Sequence, residues 1–525
     1  MRIGIDFGTT RTVVAGIDEG NYPVCSLEDD DQLRDHIPTL VAVRRGALLY
    51  GWEAARAGLS GEAALFRGLK RLTATRPPDS LVSLGDGVEL PLIEVLTGFL
   101  SHVRKMLVFK GNLPVSSNIE AMIATPANAN SNQRFVTLDA FRRAGFEVLE
   151  VLNEPSVAAL EHVGRFIRTV SQRSKKEYVV IYDLGGGTFD TAVVRFADRS
   201  FEVLSHEGIS RLGGEDFDAI LLDQALAAAG VDEASLPANV KARLLEECRE
   251  RKEGLTPNTR RVAVDLALPS GEKTVILDVR AFYEACEPLL EPSVAAVSRI
   301  LDELVRPEDP AEDTRRLASV YLVGGSAMFP PVARRLREAF GRKVRHAPNA
   351  FAATAIGLAI AADPNADVRI RESVSRYFGV WREAAKGRDK RFDVLLPKDT
   401  ILRAGKSSSV VRCYRSVHNI GHFRFMECGS LDGAGHPSGD MHPWPEILFP
   451  YDPELLGSED LSEIGVERRP DLEHQEILES YRYDSNGFLT VTIENLTAGY
   501  SRTYSLGQQD GAIERVASSS LIAAT

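Results

Sequence analysis

The sequence predicts two architectures in series: an α/β part with mixed sheets in two lobes, then an all-β part. Three observations carry this expectation. To about residue 365, short β-rich runs alternate with longer helical patterns. Inside that stretch one β-run with its turn occurs twice, as Ile3-Gly-Ile-Asp-Phe-Gly-Thr-Thr10 and as Ile181-Tyr-Asp-Leu-Gly-Gly-Gly-Thr-Phe-Asp190. After Asp363-Pro364 the pattern changes to short alternating runs broken by frequent turns.

In the first part, Ile3–Asp6, Val13–Ile17, Ala121–Thr125, Val179–Asp183, Thr191–Arg195 and Val320–Val323 read as buried or half-buried strands. Leu92–Leu107, Gln133–Ala144, Ser156–Val170, Phe217–Ala229 and Val332–Phe340 read as helices, and the small-and-apolar run Ala350–Ala362 as a buried core helix. In the second part, Val410–Tyr414, Phe423–Glu427, Ile477–Tyr483 and Leu489–Glu494 read as strands, with a hairpin turn at Asp484-Ser-Asn-Gly487. Gly429–Arg468, rich in Pro, Gly and acids, reads as long loops. The expected division is 1–366, a linker 367–376, an all-β domain 377–508 and a tail 509–525.

Composition bounds the function. A chain of 525 residues is too long for one core at roughly 100–200 residues per domain. Hydrophobic residues at 44% and charged residues at 26% exclude a largely disordered chain. The formal charge is −12, from 62 Lys and Arg against 74 Asp and Glu. An acidic chain repels phosphate backbones and anionic lipid, so neither nucleic acid nor membrane is an expected partner. The N-terminus lacks the apolar stretch of a secretory signal. Cys25, Cys248, Cys286, Cys413 and Cys428 are scattered and include no CxxC pair, which suggests a reducing, cytoplasmic setting. Cys413, His418, His422, Cys428, His436 and His442 have spacings that fit no standard zinc site.

The repeated turn is the chemistry-bearing feature. Each strand delivers a carboxylate, Asp6 or Asp183, and the glycines after it let backbone approach a ligand closely. Thr9, Thr10 and Thr188 add hydroxyl donors, and successive exposed N–H groups form an anion-binding concavity. A single DxGT is as readily a plain strand-ending turn. Two such turns facing each other would grip a polyphosphate from both sides, with the aspartates holding Mg²⁺ through its waters. Other phosphate motifs are missing. Gly405-Lys406-Ser407 imitates the end of a P-loop, but Thr400 stands where its first Gly belongs, and no GxGxxG follows a strand.

Six segments, IGIDFGTT (3–10), LKRL (69–72), NEPSVAAL (153–160), DLGGGTFD (183–190), LGGEDFD (212–218) and LVGGS (322–326), together resemble the seventy-kilodalton heat-shock, DnaK-like chaperones. YDSNGFLTVT (483–492) and LLPKDTIL (395–402) extend the likeness more weakly. The resemblance implies an actin-like (ribonuclease-H-like) two-lobed ATPase domain and a substrate-binding β-sandwich, in a lidless, divergent, bacterial-type member of that family. It implies ATP or ADP, Mg²⁺ and K⁺ as cofactors. Asp6 and Asp183 match the carboxylates around Mg²⁺, and Asp190 one near a potassium site. Lys70, Glu154, Asp183 and Thr188 match catalytic positions: Lys70 orients the γ-phosphate and attacking water, and Glu154 links nucleotide state to lobe movement. Gly8, Thr9, Thr10, Gly185, Gly186, Gly187 and Thr188 match the phosphate loops. Gly213, Gly214, Lys252, Gly324, Gly325 and Ser326 match the nucleoside pocket. The implied reaction is slow in-line attack of water on the γ-phosphate of ATP, timing the capture of peptide or protein clients.

Departures from the family pattern are equally specific. Two arginines usually sandwich the adenine, and Glu253 and Met328 stand at those positions. Arg249 replaces an expected ribose-contacting glutamate. Glu150 stands where an arginine commonly meets J-domain partners, so any co-chaperone contact there has altered charge. The linker Asp367-Val-Arg-Ile-Arg-Glu372 has only Val368 and Ile370 as apolar residues, and reads as weakly docking or as a solvated tether. The chain stops soon after the β-part, so no helical lid is expected. Asn349, after Pro348, reads as a plain N-cap. Beside the chaperone stands the alternative of a nucleotide-switched scaffold dedicated to one partner. A small-molecule kinase of the same superfamily is a further alternative, against which LGGEDFD argues.

Overall fold

The computed structural model describes residues 1–112, 118–166, 177–197, 200–209, 211–304, 317–401, 407–458, 460–484, 487–505 and 513–515. The chain divides into two compact units: Met1–Ala129 with Val136–Glu372, and Asn130–Phe135 with Ser373–Thr525.

The first unit holds two mixed sheets of the same plan. The five-stranded sheet runs Glu147–Asn153, Glu120–Thr125, Arg2–Phe7, Arg11–Gly16, Ile37–Pro38. Its centre is an antiparallel hairpin, Arg2–Phe7 with Arg11–Gly16, flanked by the parallel strand Glu120–Thr125. The six-stranded sheet runs Val344–His346, Leu317–Val323, Tyr178–Leu184, Phe189–Ala197, Ser200–Ile209, Arg369–Arg371. It too has a hairpin, Tyr178–Leu184 with Phe189–Ala197, beside a parallel strand, Leu317–Val323. The sequence repeat is thus a repeat of strand order and direction. Parallel neighbours need covering helices, and Glu154–Phe166 and Ala353–Ala362 supply them, in one core with Val13 and Ala15 of the first sheet and Val179, Ile181 and Ala192 of the second.

The small-residue composition of Ala353–Ala362 has a steric cause. A Cβ on Gly4 would lie 2.4 Å from Ala359 N, and one on Gly357 would lie 1.8 Å from Val157 O. Strand, helix and helix therefore approach at backbone distance.

The expected strands and helices of this part fall inside observed ones, with ends shifted by a few residues. The helix expected over Ser156–Val170 is Glu154–Phe166, and 167–170 lie outside the described residues. The segment 367–372 is not a free tether. Arg369–Arg371 pairs parallel with Ser200–Glu202 as an edge strand. Glu372 accepts from Asn153 N at 3.0 Å, Asn153 Nδ2 at 2.5 Å and Ser156 Oγ at 3.0 Å. Backbone pairing of this kind needs no leucines, which is why apolar content alone misjudged it.

The second unit is β-rich, and its described pairings are all antiparallel. A four-stranded sheet runs Asp389–Leu396, Tyr377–Ala384, Phe425–Leu431, Pro437–Pro443. A five-stranded sheet runs Ser408–Arg415, Glu476–Tyr483, Leu489–Asn495, Tyr500–Ser505, Ile513–Arg515, the last lying beyond residue 508. Ile420–Phe423 pairs with Ile447–Pro450. Phe378, Val380 and Phe425 from one sheet share a core with Ile477, Tyr481, Val491 and Ile493 from the other. The hairpin turn closes through Asp484 N to Phe488 O at 2.9 Å, with Gly487 at φ +83°; Ser485 and Asn486 lie outside the described residues, as do Gly405 and Lys406.

Gly429–Arg468 is corrected: it is not all loop. It carries Pro437–Pro443 and Ile447–Pro450 as strands and two short 3-10 turns, Pro453–Leu455 and Leu461–Glu463. Pro437–Pro443 begins and ends in proline and lies at a sheet edge, where a strand tolerates it.

Candidate nucleotide site

The two repeated turns close identically. Gly8 N donates to Arg11 O at 3.0 Å, and Gly185 N donates to Thr188 O at 3.0 Å. Gly8 is required there because a Cβ would meet Arg11 O at 2.4 Å. The turns face each other: Cβ atoms on Gly186 and Gly187 would lie 2.6 Å from Thr10 Cγ2 and 3.0 Å from Thr9 Cγ2. The N–H groups of Thr9, Thr10, Gly186 and Gly187 make no backbone hydrogen bond among the described residues, the condition for an anion-binding concavity.

Gly213 and Gly214 seat the helix Gly214–Ala229 on the second turn. Gly214 N and Glu215 N donate to Gly185 O and Gly186 O at 3.0 and 2.8 Å, and a Cβ on Gly213 would strike Gly186 backbone at 2.5 Å. Lys252, near the end of Ala238–Glu253, donates to Gly214 O at 2.7 Å and pairs with Asp218 at 2.7 Å. Gly324 takes φ +84°, where a side chain would strike Leu184 O at 2.4 Å and Asp183 Oδ1 at 2.5 Å.

A cleft results, lined by Asp6, Gly8, Thr9, Thr10, Lys70, Glu154, Asp183, Gly185, Gly186, Thr188, Gly214, Lys252, Gly324, Gly325 and Ser326. Gly187, Gly213 and Asp190 are not among its lining residues. Asp190 is buried, directly opposite Asp183 in the hairpin, and accepts from Ala127 N at 3.1 Å. Arg249, Glu253 and Met328 also line the cleft. So do Arg11, Asp218, Phe351 and Thr354, which sequence reasoning missed. Arg11 directly follows the first turn and Asp218 closes the quoted LGGEDFD, so both were within reach; Phe351 carried no signal of its own.

The electrostatics are unusual. Lys70 Nζ donates to Glu154 Oε1 at 2.6 Å, and both side chains are buried. Burial alone would lower the Lys70 ammonium, but the carboxylates of Glu154 and Asp6 outweigh it and hold it raised. Burial, with repulsion from Glu154, pushes Asp6 and Asp190 up to about 7 and raises Asp183 well above the ordinary range. The site therefore has more buried carboxylates than one lysine offsets. That donor set fits a hard, hydrated cation. Among the described residues no three His, Cys, Asp or Glu side chains converge to ligate a metal directly.

The family model described as Hsp70 protein matches residues 101–370. The chain belongs to the Hsp70 family. It is similar to a chaperone protein HscA homolog of Aeromonas salmonicida, 31% identical over 69% of this chain and 57% of that protein. It is also similar to a heat shock cognate HSP70 protein of Trypanosoma brucei brucei, 30% identical over 65% of this chain and 52% of that protein. An HscA homolog of Variovorax paradoxus is 33% identical over 69% of this chain and 58% of that protein. The chain thus spans little more than half the length of these curated relatives. Among the described residues no helix is long and apolar enough to cross a membrane.

Proposed function

We propose that this chain is a slowly hydrolysing ATPase of the Hsp70 type, coupling nucleotide state to binding of peptide or protein clients in its β-rich unit. The observation that carries it is the pair of identically closed glycine–threonine turns facing each other beside a buried Lys70–Glu154 pair. In this reading the two sheets are the lobes of an actin-like domain, and the β-rich unit is the client-binding sandwich. Thr9, Thr10, Thr188 and the free turn amides hold the phosphates. Lys70 orients the γ-phosphate and the attacking water, so catalysis is positioning and charge compensation. Glu154 holds Lys70 in place between turnovers. Asp6 and Asp183 would hold Mg²⁺ through its waters, with potassium assigned to Asp190; bound Mg²⁺ supplies neutralisation of phosphate charge.

The test is ATP hydrolysis by the full chain with and without unfolded polypeptide. Lys70→Ala is expected to keep MgATP binding and to lose roughly 10²–10³-fold in turnover, as when one electrostatic donor is removed. Undiminished turnover in that variant rejects the role of Lys70. The second reading, a scaffold switched by nucleotide and dedicated to one partner, draws on Glu372, whose bonds to Asn153 and Ser156 tie residue 372 to the start of the Glu154 helix. Hydrolysis that unfolded polypeptide leaves unchanged favours it.

A further inference from the structure

Beyond the phosphate turns, the cleft wall carries an assembly that phosphate chemistry does not explain. The guanidinium carbon of Arg11 lies 4.5 Å from the centroid of the Phe351 ring. Arg11 Nη2 donates to Glu253 Oε2 at 2.5 Å. The other oxygen of Glu253 accepts from Arg249 Nη1 at 3.1 Å, and Arg249 is itself bonded to Glu246. Arg11 Nε is buried and has no hydrogen-bond partner among the described residues. Phe351 and Met328, both on the cleft wall, are 38% and 47% exposed.

These features point to a ligand group of one kind. A guanidinium backed on one face by Phe351 and paired through its edge with Glu253 leaves its other face for a ligand in the cleft. Glu253 neutralises Arg11 and repels phosphate, so the partner is not the polyphosphate. An exposed ring against a planar cation, with the exposed Met328 on the same cleft wall, suits a flat, weakly charged group, and guanidinium stacks well on such faces. Glu253 and Met328 offer no planar cation of their own.

We infer that Arg11 holds the base of the nucleotide: its guanidinium is the stacking face, Phe351 backs it, and Glu253 fixes its orientation. The ligand class is a purine nucleotide, favoured over a pyrimidine by its larger stacking area. This rests on the nucleotide reading above. Arg11 acts on the base, and Glu253 is a positioning residue.

The test is calorimetric titration of the full chain with MgATP, MgCTP and Mg²⁺-tripolyphosphate. Arg11→Lys keeps a cation beside Glu253 but loses the plane. ATP affinity is expected to fall about 5- to 30-fold, the range of a partly to fully desolvated cation–π contact. Tripolyphosphate affinity is expected to hold, and the preference for ATP over CTP to shrink. Glu253→Ala should move ATP in the same direction and also spare tripolyphosphate; unchanged ATP affinity there removes Glu253 from the assembly. Equal weakening of ATP and tripolyphosphate by Arg11→Lys, or no weakening of either, overturns the inference while leaving the nucleotide reading intact. Wild-type protein that binds neither ATP nor tripolyphosphate overturns both.

Discussion

Glu150 shows how a single position changes meaning once its surroundings are known. In sequence it reads as a charge reversal at a position where a partner contact is expected. In the structure it is half-buried, and burial together with the carboxylate of Glu372 pushes it up to about 7. A carboxyl raised in the native state and ordinary in the unfolded one costs stability only where the native state is forced to ionise it. That cost is complete above about pH 7 and fades as pH falls toward the ordinary glutamate range. Glu150→Gln, a mimic of the protonated form, should therefore raise the denaturation midpoint at pH 8 and leave it unchanged near pH 4.5. Equal shifts at the two pH values would count against this. The candidate cleft was legible at the same scale where its residues sit in contiguous motifs, as Asp6, Thr9, Asp183 and Thr188 do. Arg11, Glu253 and Phe351 meet only through the fold, so the sequence shows Glu253 and Met328 where arginines are expected but not the contact of Arg11 with Phe351.

Elements were legible where their periodicity was undisturbed. The hairpins around both glycine–threonine turns and the helix Gly214–Ala229 follow from pattern alone. The 26-residue helix Val279–Leu304 does not, because Pro288 and Pro292 lie inside it, where proline removes a hydrogen bond and ordinarily breaks the helix. Ala353–Ala362 is legible as buried, but its small residues acquire a reason only from the backbone contacts around it. A Cβ at Gly357 would overlap the carbonyl of Val157, and both partners are helix backbone with nowhere to retreat. At Gly98, on the helix Leu92–Lys110, the added Cβ would meet only the hydroxyl end of Tyr50, at 2.2 Å. Gly357→Ala should cost about 3 kcal/mol or more, at the upper end of overpacking. Gly98→Ala should stay within about 1 kcal/mol, because better helix propensity offsets a movable contact. Chemical denaturation of the two variants checks this, and comparable losses would mean that the helix packing is looser than the backbone distances imply.

Across the whole chain, each unit has its own core, and each core is exposed to a different perturbation. In the β-rich unit Glu479 is fully buried between the sheets' polar side chains. Arg382 donates to both its oxygens, at 2.8 and 2.5 Å, and the Tyr414 and Tyr481 hydroxyls donate to it as well. Such a network adds little over an apolar core while complete, but loss of one charge strands the others. Glu479→Gln keeps the shape and removes the charge, and should cost about 3–5 kcal/mol. In the proposed reading nucleotide binds the other unit, and at a hundredfold excess over its dissociation constant it would add about 2.7 kcal/mol to whatever contains the site. Calorimetric unfolding should therefore resolve two transitions. MgADP should raise only the one belonging to Met1–Ala129 with Val136–Glu372, and Glu479→Gln should lower only the other. If both transitions move together under either perturbation, the two cores unfold as one cooperative block, and the separate assignment of nucleotide binding and β-rich stability to them fails.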